Sequence, residues 1–153
     1  MDDITMSDIN DLLDKTLLKQ LYLIEEKLQS EVNIEKCINN GCYNLAKSRY
    51  IMGQTSVSKE RLPLEASTEF SASTLCEETD QDNVKQFQLI DNDVNTINPM
   101  HWFGVLVPQN LHKAKDLFKN ALNYVVECAN IQMQLNENSK NIECLKIYME
   151  SIH

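Results

Sequence analysis

Glycine and proline are scarce in this chain, with three of each among 153 residues. Folds built from many short strands need both residues at their turns, whereas here Leu, Lys, Glu, Gln and Asn are abundant. The composition therefore predicts an all-α protein. An apolar content of 42% is enough for one modest core, so we expect a single cooperative unit.

Long apolar runs are missing, and the start Met-Asp-Asp-Ile-Thr has neither the basic residues nor the apolar stretch of a signal peptide. The sequence also has no Asn-x-Ser/Thr glycosylation site, and its five cysteines are an odd number. These absences predict a soluble chain that is not secreted and that resides in a reducing, cytosol-facing compartment.

The net charge of −9 comes mainly from the middle of the chain. Residues 53–96 hold nine acidic and three basic side chains, whereas residues 6–52 and 97–153 are each nearly neutral. Nucleic-acid binding needs Lys and Arg clustered on one face, so this distribution argues against it. It favours an acidic linker between two other segments, which gives predicted boundaries at 1–52, 53–96 and 97–153.

The first segment has helical periodicity. Thr5 or Ser7 can cap its start, and the pattern continues to about Met52. Glu31 and Glu35 interrupt an apolar stripe whose members keep to one helical face: Leu13, Leu17, Leu21, Ile24, Leu28, Ile38, Cys42 and Leu45. Gly41 is expected to be tolerated inside the helix, and a break or bend there is the alternative.

The middle segment has no sustained period and is rich in Ser, Thr and Glu, so we expect it to be largely disordered. Val84 to Ile90 alternates well enough for one short strand, which would need a partner to be stable. A third helix folded from this segment is a less favoured alternative.

The last segment has the clearest period, beginning after Pro108. Steps of three and four from Leu111 reach apolar residues at nine of twelve positions, which predicts coiled-coil packing along a helix of about 40 residues. Two helices of similar length predict an antiparallel coiled-coil hairpin. Apolar residues off the best seam would then remain in water and serve a partner or self-association: Leu12, Leu18, Leu23, Ile34, Leu117, Val126, Ile131 and Met133.

The sequence contains no recognisable catalytic or metal-binding motif. No His-x-x-x-His, Cys-x-x-Cys, phosphate loop or Ser/His/Asp set occurs, so we predict no cofactor, no metal and no enzymatic activity. A cysteine-dependent enzyme is a remote alternative, because no histidine lies in a recognisable partnering motif.

Two short segments are candidate partner-binding sites. Near the end of the first helix, Arg49 and Tyr50 either complement the helix dipole or form a docking patch. Ahead of the second helix, an aromatic segment bracketed by prolines either closes the hairpin core or faces a partner. The candidate residues are Arg49, Tyr50, Trp102, Phe103, Leu106 and Pro108.

Together these segments resemble a known family. Leu45-Ala46-Lys47-Ser48-Arg49-Tyr50 with Met52-Gly53, and Asn98-Pro99 followed by Trp102-Phe103-Gly104-Val105-Leu106-Val107-Pro108, are similar to the coiled-coil-domain-containing assembly factors of the vacuolar-type proton ATPase. The order also agrees, with an acidic linker between the two segments.

The resemblance implies a chaperone that helps the membrane sector of the proton pump assemble and so supports organelle acidification. It implies action at the cytosolic face of the endoplasmic reticulum, extending to the intermediate compartment, transport vesicles and lysosome. Its partners would be a membrane-anchored assembly factor and pump subunits, with only indirect membrane contact. A homodimeric tether or trafficking adaptor, joined through the last helix, is the alternative.

Overall fold

The computed structural model describes residues 6–81 and 84–152. Helix α1 spans Met6–Met52 and helix α2 spans Gln109–Ile152. Between them lie a 3₁₀ turn at Lys59–Arg61, strands β1 (Thr74–Gln81) and β2 (Val84–Asp91), and a second 3₁₀ turn at Pro99–Phe103. The end of α1 at Met52 and the start of α2 after Pro108 agree with the sequence pattern. The candidate cap Thr5 lies outside the described residues, and the alternative cap, Ser7, lies within α1.

The two helices pack against each other antiparallel along their length. Contacts pair early residues of α1 with late residues of α2, as in the cluster of Leu23 with Ile131 and Leu135. Small side chains occupy much of the α1 seam, where Ser30, Gly41 and Ser48 are buried at intervals of eleven and seven residues. Such side chains allow close approach of the two backbones.

A buried polar contact fixes the register of the helices. Asn138, which is 3% exposed, donates from Nδ2 to Gln20 Oε1 at 2.7 Å and to the Thr16 carbonyl oxygen at 3.0 Å. Gln20 Nε2 in turn donates to Ser139 Oγ at 3.0 Å. Because a shift of either helix would leave these groups unpaired, the contact favours one alignment.

Helix α1 continues through Gly41, so the break considered at this position does not occur. A Cβ atom built on Gly41 would lie 2.9 Å from Cε1 and Cζ of Phe118, closer than real side chains come. The Phe118 ring therefore uses the space that a larger residue would fill, and this contact offsets the weak helix propensity of glycine.

The prediction of an all-α fold was wrong, because residues 74–91 form an antiparallel hairpin. Val84 to Ile90 does lie in a strand, but β1 is its partner, with Glu78 opposite Phe87. Helix α2 holds the outer edge of β2: Asn130 accepts from the Phe87 N–H at 2.7 Å and donates to its carbonyl oxygen at 2.9 Å. The strand pairing and the contact with Asn130 of α2 thus stabilise a β-hairpin that the sequence of either strand does not predict alone.

An exposed ion pair joins the two strands, with Lys85 Nζ 2.6 Å from Glu78 Oε1. The hydrogen bond and then the negative charge of Glu78 raise the pKa of Lys85. Since both side chains are exposed to solvent, screening keeps the contribution of this pair to stability small.

The expectation of a largely disordered linker was also wrong. Residues 53–62 and 96–108 fold against one end of the helix pair, where α1 ends and α2 begins. Val57, Met100 and Leu111 form a buried cluster there. Four partly buried side chains complete it: Leu45, Met52, Phe103 and Val107. No third α-helix occurs in the ranges 6–81 and 84–152.

Candidate interaction surface on the first helix

An exposed apolar stripe runs along α1. Leu17, Leu21, Ile24 and Leu28 follow one another at steps of four, three and four, and each is between 38% and 63% exposed. The steps place their side chains on one helical face over about 16 Å of helix axis. Ile38, which is 43% exposed, continues the same face two turns beyond Glu31. We call these five residues the α1 stripe.

The stripe and the buried seam are different faces of the same helix. Leu21 is 63% exposed, whereas Leu23, two residues later and about 160° around the helix, is 6% exposed. The sequence placed Leu23 and Ile131 off the packed seam, and both instead belong to the core. Periodicity identifies apolar faces, but small residues and the Asn138 contact decide which face of α1 meets α2.

The β-hairpin lies over a different face of α1 from the stripe. An open cleft of about 980 Å³ lies between the helices and the hairpin, where Tyr22 and Gln29 of α1 face Phe87 and Leu89 of β2. At 3.6 residues per turn, Tyr22 and Gln29 lie about 100° or more from the centre of the α1 stripe. The middle segment therefore leaves the stripe in water.

Two carboxylates lie within the stripe. Glu31 and Glu35 occupy the positions that its three-and-four spacing assigns between Leu28 and Ile38. Both are exposed, and Glu31 Oε1 lies 3.7 Å from Lys27 Nζ on the same helix. They give the face a negatively charged turn between two apolar parts.

Arg49 and Tyr50 have different surroundings although they are neighbours. Arg49 donates from Nε to the Val57 carbonyl oxygen at 3.0 Å, which holds the chain after Gly53 against the helix. Gly53 ends α1 with a φ of 93°, and its N–H donates to the Arg49 carbonyl oxygen at 2.9 Å. Tyr50 is 91% exposed, so it is available to a partner.

The aromatic segment ahead of α2 likewise contains both packed and exposed side chains. Trp102 is half-buried and meets Phe70 edge to face at a centroid distance of 5.6 Å, and Phe103 packs on the buried cluster of Val57, Met100 and Leu111. The Pro108 carbonyl oxygen accepts from the Leu111 N–H in the first turn of α2. Leu106 is 91% exposed, and Val105, which the sequence did not single out, is 99% exposed. The six predicted residues are thus near one end of the hairpin, and partner binding by them stays a prediction.

Within the described part of the chain, no group of three or more His, Cys, Asp or Glu side chains is placed to hold a metal ion. All five cysteines are free thiols there. Over the same residues, no helix is long and apolar enough to cross a bilayer.

Two long packed helices, a short β-hairpin and an uncovered apolar stripe on α1 define the molecule as a mostly helical protein. No family model matches the chain. Over 187 aligned residues it is 30% identical to Vacuolar ATPase assembly protein VMA22 of Danio rerio, with 89% of each chain covered. The identity to the protein of that name is 24% for Mus musculus, covering 88% of this chain and 89% of the relative. For Homo sapiens it is 22%, covering 84% and 86%.

The chain therefore belongs to the family of vacuolar ATPase assembly proteins named VMA22. This finding confirms the resemblance stated from the sequence, and the matches extend well beyond the two short segments that carried it.

Proposed function

We propose that this chain is a non-catalytic assembly factor of the vacuolar-type proton ATPase and that it works by binding a partner helix along the α1 stripe. The observation that supports this proposal best is the α1 stripe itself, because its five Leu and Ile side chains are exposed to water while the chain folds around a different face of α1. Family membership supports the assembly role.

A helix is the partner that this surface fits best. Apolar residues at steps of three and four match the side-chain rows of a second helix, and burying Leu17, Leu21 and Leu28 would supply most of the binding free energy. Glu31 and Glu35 also restrict the charge that a partner helix can carry at this turn. A partner with Lys or Arg in that turn would be favoured, whereas an acidic one would be repelled.

The partner class follows from the resemblance. We infer a membrane-anchored assembly factor as the direct partner and subunits of the pump's membrane sector as the clients. The stripe would cover apolar helix surfaces of these proteins before the pump is complete, at the cytosolic face of the endoplasmic reticulum. Later steps would follow in the intermediate compartment, transport vesicles and lysosome.

A homodimeric tether joined through the last helix is less consistent with the packing. The buried face of α2 is already covered by α1 of the same chain. A dimer through α2 would have to replace these contacts, whereas binding at the α1 stripe leaves the hairpin intact.

The test is complementation of cells that lack this protein, with organelle acidification and the amount of assembled membrane sector as readouts. The variant Leu21→Ser/Leu28→Ser removes the stripe, and Leu18→Ser is the matched control, because Leu18 is 54% exposed on another face. We expect the double variant to fold normally and lose acidification, while the control retains it.

Full acidification by the folded double variant would contradict the stripe as the working surface. Normal acidification in cells without the protein would contradict the assembly role as a whole. Sedimentation of the purified chain should show a monomer. A concentration-dependent dimer that is lost in Leu21→Ser/Leu28→Ser would instead mean that the stripe binds a second copy of the chain.

A further inference from the structure

Three carboxylates line the open cleft of about 980 Å³ between the helices and the β-hairpin. Glu25 and Glu26 belong to α1, and Glu127 belongs to α2. Among the described residues that line the cleft, none is Lys, Arg or His. We call this space the acidic cleft, because every charged side chain in its lining is negative.

The three carboxylates of the acidic cleft have no ionic partner within the chain. In the ranges 6–81 and 84–152, the ion pairs lie elsewhere: Lys27 with Glu31, Lys85 with Glu78, Lys119 with Asp91 and Lys140 with Glu137. The carboxylate oxygens of Glu25, Glu26 and Glu127 are therefore available to cationic groups of another molecule.

The surroundings of the acidic cleft are also negative as a whole. Twelve acidic and seven basic side chains, a net −5, belong to the stretches of chain that surround it, which are residues 15–36, 74–93 and 119–140. The count includes Lys19 and Lys36, which lie one turn beyond either end of the cleft on α1. The cleft therefore attracts a positively charged occupant and repels an anionic one.

Aromatic rings stand beside these carboxylates. Tyr22 lies one turn before Glu25 on α1, and Phe87 of β2 forms part of the facing wall. Tyr124 lies one turn before Glu127 on α2. Aromatic faces attract Arg and Lys cations and pack against the aliphatic parts of those side chains. The lining therefore suits cations on apolar stems better than it suits small hydrated ions.

The length of the acidic cleft indicates the size of its occupant. Its α1 wall runs from Tyr22 to Asn33, which is about 16 Å of helix axis. An extended chain of about five residues spans this distance. Amide side chains in the lining, such as Gln29 and Gln88, can form hydrogen bonds with the backbone of such a segment.

We propose that the acidic cleft binds a basic segment of a partner protein, about five extended residues with at least two Lys or Arg side chains. A metal ion fits less well, because no three His, Cys, Asp or Glu side chains of the described residues are placed to hold one. Nucleic acids and anionic lipids carry the same sign of charge as the cleft. A second copy of this chain has a net charge of −9 and would be repelled.

The acidic cleft and the α1 stripe can be occupied at the same time. Tyr22 and Gln29 face the cleft, about 100° or more around α1 from the centre of the stripe. A helix bound on the stripe therefore leaves the cleft open to a basic segment. The inference does not depend on the proposed function, because the charge and geometry of the cleft support it directly.

The experiment measures fluorescence anisotropy of the labelled peptide Arg-Leu-Lys-Leu-Arg with the purified full chain, in about 0.1 M salt. The peptide Gln-Leu-Gln-Leu-Gln is the uncharged comparison. We expect binding of the basic peptide only, weakened at least about tenfold by Glu25→Gln/Glu26→Gln/Glu127→Gln. Glu60→Gln/Glu65→Gln/Glu69→Gln is the matched control, because it changes the net charge equally at three exposed carboxylates outside the cleft.

The control variant should bind the basic peptide nearly as well as the original chain does. An equal loss of binding in both triple variants would overturn the proposal, since the attraction would then come from net charge alone. Equal binding of the two peptides would also overturn it, as would displacement of the basic peptide by spermidine at a similar concentration, which would indicate a site for small cations. Leu21→Ser/Leu28→Ser should bind the peptide normally, which separates this test from that of the stripe.

Discussion

Gly41 and Phe118 are in direct contact across the two helices, with the Phe118 ring 2.9 Å from where a Cβ on Gly41 would lie. This contact explains why a glycine is found inside a helix of 47 residues. The bare backbone at this point lets an aromatic ring of α2 fill the space between the helices, so the position is one of close packing rather than of bending.

Gly41→Val should lower the free energy of unfolding by about 1–3 kcal/mol, because the added methyl groups would overlap the Phe118 ring. Chemical denaturation measures the change. In the double variant with Phe118→Ala the cost of the valine should shrink, since the ring is gone. Equal costs in both backgrounds would show that the contact does not limit residue 41.

Asn138→Ala should cost about 1–3 kcal/mol of stability, because the Thr16 carbonyl oxygen and the Gln20 side chain lose a buried donor. Asn141→Ala is the control, since Asn141 lies on the exposed side of α2. A similar denaturation midpoint for the two variants would contradict the role of Asn138 in helix register.

Leu23→Ala should destabilise the fold by about 2–4 kcal/mol, because it leaves a cavity beside Ile131 and Leu135. Leu21→Ser should change stability by no more than about 0.5 kcal/mol, because its side chain is mostly in water. The melting temperatures of the two variants compare the buried face of α1 with its exposed stripe. A large loss in Leu21→Ser would mean that the stripe is covered in the free protein.

Asn130→Ala should release the β-hairpin from α2 while the helices stay folded, since Asn130 binds both backbone groups of Phe87. Amide hydrogen exchange should quicken about tenfold or more in residues 84–91 and remain slow in the middle of α1. Asn123→Ala serves as the control, because Asn123 is exposed on the same helix. Unchanged exchange at Phe87 would show that other contacts hold the hairpin.

The β-hairpin is the element that the sequence could not predict. Thr74–Gln81 is acidic and lacks alternation, so nothing local marks it as a strand. It forms because β2 pairs with it and because Asn130 satisfies the far edge of β2. Strand pairing depends on residues distant in the chain, whereas helical hydrogen bonds are made within four residues.

The sequence by itself determined the two long helices, their ends at Met52 and after Pro108, and the family, because helix period, proline and glycine positions and short sequence motifs are local features. The tertiary structure alone decided which face of α1 is buried. Leu23 enters the core while Leu21 stays in water, since the close approach at Gly41 and the hydrogen bonds of Asn138 fix how α2 lies on α1.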